Sequence, residues 1–81
     1  MISLKDAYAE LEKSIDEDRF PSSDALKKIN VVLASENEAT MPSDAYVLST
    51  WKEYGIVYID FYSEALERGE IVAFHSGRFK E

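Results

Sequence analysis

The stretch Tyr54-Gly55-Ile56-Val57-Tyr58-Ile59-Asp60-Phe61-Tyr62 constrains this chain more than any other. β-Branched and aromatic residues fill it, a glycine stands near its start, and Asp60 is its one charge, which is the make-up of a strand. Strand side chains alternate, so Val57, Ile59 and Phe61 share one face and Ile56, Tyr58, Asp60 and Tyr62 share the other. The first face reads as core. The second carries tyrosines where a solvated face would carry Lys, Glu or Thr, and any fold built on this strand has to account for them.

The segments before it supply the covering layer. Residues 3–18 predict an amphipathic helix with Leu4, Ala7, Tyr8, Leu11 and Ile15 as its apolar stripe, and Ser3 followed by Asp6 resembles a capping box. Asp16, Glu17 and Asp18 gather at its C-terminal end, where the helix dipole disfavours acid. That local cost makes the corner a candidate charge cluster for a partner, with an ordinary solvated corner as the alternative. Phe20 before Pro21 is pushed out of helical conformation and ends the element. Ser22 or Ser23 then caps a second helix through about Ser35, burying Ala25, Leu26, Ile29, Val32 and Leu33, with Lys27, Lys28 and Asn30 outward and Val31 off the stripe.

After a polar connection from Glu36 to Pro42, Ala45 to Trp51 reads as a first strand and Lys52-Glu53-Tyr54-Gly55 as a hairpin turn. If Trp51 lies opposite Ile56, then Tyr46, Leu48 and Thr50 join the core face, while Val47, Ser49 and Trp51 join Asp60, Tyr58 and Ile56 on the open one. Residues 63–69 are expected to make one helical turn ending at Gly69. Ile71 to His75 follows as a third strand, with Val72 and Phe74 inward and His75 outward beside Tyr58; Gly77 to Glu81 is a tail. The expected fold is α+β in the order ααβββ: two N-terminal helices packed on one face of a three-stranded antiparallel meander, forming a single domain over residues 1–81. The other sheet face is left without a cover, unless the 63–69 connection or Phe79 of the tail folds over Trp51, Tyr58 and Tyr62.

Composition narrows the function. With 16 acidic against 9 basic residues the net charge is −7, a field that repels nucleic acid and anionic membranes and favours basic partners. The chain lacks cysteine, which fits a reducing cytoplasm and removes thiolate chemistry. Neither a signal peptide nor a membrane span is expected: the start lacks a basic, apolar leader, and the longest aliphatic run is Val31-Val32-Leu33-Ala34.

Catalytic chemistry finds little footing, and the chain is not expected to be an enzyme or to need a cofactor. One histidine without cysteine builds no Cys–His pair or multi-histidine metal site, and Ser76 next to His75 points the opposite way on a strand. The glycines are scattered rather than clustered before a helix, and a calcium loop starting at Asp16 would need ligand and glycine positions that Phe20 and Pro21 occupy. His75 is a candidate pH-sensitive contact, or an ordinary strand histidine.

What remains is the open face. Trp51, Tyr58 and Tyr62, with Asp60 and His75, have the make-up of a protein interface: large aromatics that order at low entropic cost, and no evident Lys or Arg. The partner-binding candidates are therefore Trp51, Tyr58, Asp60, Tyr62 and His75 on the face, and Asp16, Glu17 and Asp18 on the helix corner. From the second helix through Pro42 to Tyr54-Gly55-Ile56-Val57-Tyr58-Ile59-Asp60-Phe61, the chain resembles short bacterial, plasmid and phage proteins in which a helix, a proline and a meander follow one another. The likeness covers about residues 24–75, contains no catalytic residue, and implies only a prokaryotic or mobile-element origin. The expected function is stoichiometric binding of a larger, basic protein, as an anti-CRISPR-like inhibitor of host defence or as an immunity or antitoxin protein. The alternative is a structural subunit or homodimer that uses the same face or an unpaired edge strand.

Overall fold

A computed structural model describes residues 2–81. The first helix, α1 (Leu4–Asp16), starts at Ser3, whose extended backbone lets its hydroxyl accept a hydrogen bond from the Asp6 amide at 3.1 Å. The second, α2 (Ser23–Ser35), is capped in the same way by Ser22, which accepts from the Ala25 amide at 3.3 Å. Both helices end in one arrangement. Asp18 (φ 52°) and Asn37 (φ 59°) take the left-handed position, and the following amides, of Arg19 and Glu38, reach back to the carbonyls of Ser14 at 3.0 Å and Leu33 at 2.9 Å. Asp and Asn are the side chains that tolerate this conformation best, so neither helix needs a glycine to stop it.

Strands β1 (Tyr46–Glu53), β2 (Ile56–Ser63) and β3 (Arg68–His75) form an antiparallel sheet in that order. The fold is the expected ααβββ arrangement, with α1 against β1 and α2 against β3. Leu11, Ile29 and Leu33 of the helices meet Val57, Ile59 and Phe61 of β2 in one continuous buried cluster. No helix is long and apolar enough to cross a membrane among the described residues.

The hairpin is tighter than expected. Glu53 lies opposite Ile56, leaving Tyr54 (φ 52°) and Gly55 (φ 78°) as a two-residue loop with both residues at positive φ, the type I′ geometry that matches strand twist. Sliding from the expected pairing of Trp51 with Ile56 to the observed pairing with Tyr58 is a shift of two residues, so the faces are unchanged near the turn. Thr50 stays on the core side and Trp51 on the open side.

Further along β1 the faces are reversed. The ladder slips between Val47 and Ser49, so that Leu48 is the extra residue of a β-bulge. Val47, expected on the open face, is buried at 1% exposure; Leu48, expected in the core, is 48% exposed; and Tyr46 moves from the expected core position to the open side, opposite Tyr62. One inserted residue is enough to turn everything beyond it over, because the side-chain period is two.

Three other expectations are corrected. Residues 63–69 do not make a helical turn: β2 runs to Ser63, a tight turn spans 64–67, and Gly69 lies within β3 opposite Tyr62. The turn is held from outside by Asp44, which accepts from the Ser63 hydroxyl at 2.7 Å and the Ala65 amide at 2.9 Å. The tail is a 3₁₀ helix (Ser76–Lys80) that folds back on the helix side, with Phe79 packed on Tyr8 and Phe74 at centroid distances of 5.4 and 5.6 Å. Asn30 is not a solvent-facing residue. Its side chain donates to the Met41 carbonyl at 2.9 Å and accepts from the Met41 amide at 2.7 Å, pinning the long connection to α2.

Candidate protein-interaction face

With Phe79 turned to the helix side and the 64–67 turn at the sheet's end, the second face of the sheet has no cover among the described residues. The strand register sets its layout. Trp51, Tyr58 and Ala73 form one cross-strand row; Ser49, Asp60 and Ile71 form the next; Tyr46, Tyr62 and Gly69 form the third. Glu53, Ile56 and His75 close the hairpin end.

The aromatics sit at opposite ends of this grid. Trp51 stacks on Tyr58 with ring centroids 5.1 Å apart and planes 13° apart, a cross-strand pair worth up to about 1 kcal/mol beyond its burial. At the other end Tyr46 takes the edge of Phe20 at 5.1 Å and 84°, next to Tyr62. Phe20 and Ile71 are more than half exposed, at 59% and 57%, and Trp51 and Tyr62 are also exposed. The result is an aromatic-rich surface whose two ends are joined through Ile71 and separated in the middle row by Ser49 and Asp60.

Of the predicted residues, the register brings Trp51, Tyr58, Asp60 and Tyr62 together on this face. His75 departs from expectation. It lies opposite Ile56 rather than beside Tyr58, and both its backbone amide (3.1 Å) and its Nδ1 (2.9 Å) meet the carboxylate of Glu36 at the C-terminal end of α2. Arg78, 2.8 Å from the Ser35 hydroxyl and 3.6 Å from Glu36, completes a clasp that fastens the sheet edge to the helix. His75 is thus held at the rim of the face by Glu36.

The acidic corner does not form one site either. Glu17 accepts from Arg19 Nε at 2.7 Å, while the same guanidinium grips Glu10 at 2.7 and 3.1 Å. Arg19 thereby holds the Glu10 carboxyl below the ordinary carboxylate range, helped by the Ser22 amide, and its own pKa is raised in return. Asp18 ends the helix and accepts the Tyr46 hydroxyl, which raises the Tyr46 pKa above its usual value. Asp16 is exposed and lines a shallow recess with Glu12, Ile15 and the bulge residues Leu48 and Ser49. The corner therefore flanks the β1 edge, with Asp18 bonded to Tyr46 and Asp16 beside the recess that Ser49 helps to line.

Tyr46 and Phe20 are the face residues that pattern reading missed. Tyr46 was hidden by the bulge, which leaves no mark in an alternating sequence, and Phe20 by its place in a helix-breaking Phe-Pro pair. Tyr54 stands at the hairpin tip, 95% exposed. No three His, Asp or Glu side chains come together as a metal-binding group among the described residues. No family model, no curated protein and no solved structure matches this chain.

Proposed function

We propose that this chain is a stoichiometric protein-binding module whose open sheet face docks on a larger, basic protein. The uncovered aromatic grid around Trp51, Tyr58 and Tyr62 carries the reading. Such side chains supply much buried area for few rotatable bonds, and none of the grid positions is Lys or Arg. The −7 net charge speeds encounter with a basic surface. Size adds a requirement: three strands of eight residues make a face of roughly 14 by 26 Å, about 360 Å², against about 800 Å² per partner in a standard interface. The contact must therefore spread onto the Tyr54 tip and the Phe20 corner. A binder of this kind acts by occlusion in a reducing cytoplasm, as an inhibitor of a host defence protein in the anti-CRISPR manner or as an immunity or antitoxin protein.

The test is affinity capture from source-cell lysate, followed by kinetics on the protein captured. Wild type retains one stoichiometric protein at low salt and less at high salt. Tyr58→Ala speeds its dissociation, and Glu12→Lys with Asp16→Lys, both exposed positions outside any ion pair, slows its association. Recovery of the bait alone, with a mass that rises with concentration, would replace the partner with a second copy of the chain.

A further inference from the structure

The centre of the grid is a carboxylate. Asp60 lies on the middle strand between Ser49 and Ile71 across the sheet and between Tyr58 and Tyr62 along it, half-buried. No side chain among the described residues donates a hydrogen bond to it, and the ion pairs among those residues lie elsewhere: Arg19 with Glu10 and Glu17, Arg68 with Glu70, His75 with Glu36, and Arg78 with Glu36 and Glu81. Anything that covers the aromatics also covers this carboxylate. A charge buried without partners costs several kcal/mol, about 3–5 where a pair is broken, so the occupant has to bring donors to this point, and a cationic donor answers the charge as well as the hydrogen bonds.

We infer that Asp60 is the receptor for an arginine side chain of the protein partner, an assignment that rests on the docking face proposed above. Both carboxylate oxygens are free for a planar guanidinium, which pairs with them side by side while its faces lie against aromatic rings. Tyr58 and Tyr62, at i−2 and i+2 on the same strand face, flank the position where it would sit. Lysine offers a strongly hydrated point charge with neither the fork nor the flat stacking surface. A second copy of this chain is a poor occupant where the two-fold axis passes through the centre of the grid, because that brings one Asp60 onto the other.

The experiment titrates the isotopically labelled full chain with acetyl-Gly-Arg-Gly-amide, followed by amide chemical shifts, beside the same peptide carrying lysine or the neutral isostere citrulline. The arginine peptide should produce saturable shifts confined to the grid around Tyr58, Asp60 and Tyr62, with affinity at least several-fold above lysine and no saturation with citrulline. Asp60→Asn should keep the folded spectrum and lose the saturable shifts. Shifts spread over the acidic surface, no saturation, equal response to lysine, or an unchanged titration in Asp60→Asn would overturn the assignment. A concentration-dependent dimer abolished by Tyr58→Ala would overturn it in favour of a second copy. Failure here, while Tyr58→Ala still releases the captured partner faster, removes Asp60 as an arginine receptor and keeps the docking face. Unchanged partner release in Tyr58→Ala removes the face as well.

Discussion

The bulge at Leu48 decides which of two neighbouring residues is core, and a matched pair of substitutions measures it. Val47 is 1% exposed and Leu48 is 48% exposed, although each lies in a β1 segment where alternation alone assigns them the other way round. Threonine is close to valine in shape and suits a strand, so Val47→Thr mainly places a hydroxyl in the apolar cluster without a partner, at a cost of about 1–3 kcal/mol. Leu48→Thr removes a side chain that is only half withdrawn from water. Full burial of leucine is worth up to about 3 kcal/mol, so the exposed half leaves a loss of at most about 1.5, reduced by the better strand propensity of threonine. For a chain this small the urea slope is about 1 kcal/mol per M, so Val47→Thr should lower the midpoint by about 1–3 M and Leu48→Thr by less than Val47→Thr and at most about 1.5 M. Equilibrium urea unfolding followed by Trp51 fluorescence gives both numbers, with equal slopes as the check that neither variant changes the two-state transition. If Leu48→Thr proves the costlier change, β1 alternates without a bulge. Tyr46 then belongs to the core and the aromatic grid loses a corner.

Other outcomes follow from single contacts. Tyr54→Asn should raise stability by about 1 kcal/mol and the melting temperature by several degrees, because asparagine tolerates the left-handed position that costs an ordinary side chain about that much; a lower melting temperature would argue against the type I′ turn. Asn30→Ala strips two hydrogen bonds from the Met41 backbone and should cost about 2 kcal/mol in urea unfolding, whereas Asn37→Gly, at positive φ, should be near neutral. The Arg19 guanidinium lowers the Glu10 pKa, and the Ala65 amide with the Ser63 hydroxyl lowers that of Asp44. Their contributions are therefore complete above the unfolded carboxylate value of about 4 and lost as pH falls through the lower folded values; calorimetry from pH 6 to 3 should show this fall, and Glu10→Gln should make it shallower. Tyr46 has the opposite sign. Its raised pKa makes its bond to Asp18 stabilising below about pH 10 and lost above it, so Tyr46→Phe should flatten the alkaline limb of the melting curve.

The parts of this fold that local chemistry dictates were legible, and the parts set by packing between distant segments were not. Ser3 and Ser22 announce the helix starts because a hydroxyl before an apolar stripe has an obvious use, and the stripes of both helices reach the core as the spacing requires. The faces of β2 were legible for the same reason, and with them the grouping of Tyr58, Asp60 and Tyr62. Tyr46 and Val47 were not, since the ladder slips at Leu48 and no residue type marks that slip in the alternating sequence. Asn30 was misplaced because its value lies in two hydrogen bonds to Met41, eleven residues away, which periodicity does not contain. The outward side of His75 was legible, but its tie to Glu36, thirty-nine positions earlier, was not, and that tie holds it at the rim of the face.

Several features of the structure oppose pairing of the sheet with a second copy of itself. Edge-to-edge growth needs a long regular edge, and β1 is interrupted at Leu48, while the outward amide of His75 at the end of β3 is already occupied by Glu36. Face-to-face stacking is opposed at its centre, where two copies of Asp60 would meet without a cation, and at long range by a net charge of −7 on each chain. Aromatic area alone would attract many surfaces. A carboxylate set among the aromatics removes those that lack a positive group at the right point, because for them it becomes a buried unpaired charge, and specificity is that difference between partners. On the proposed reading, Trp51, Tyr58 and Tyr62 would supply the area for binding, and Asp60 would restrict what is bound.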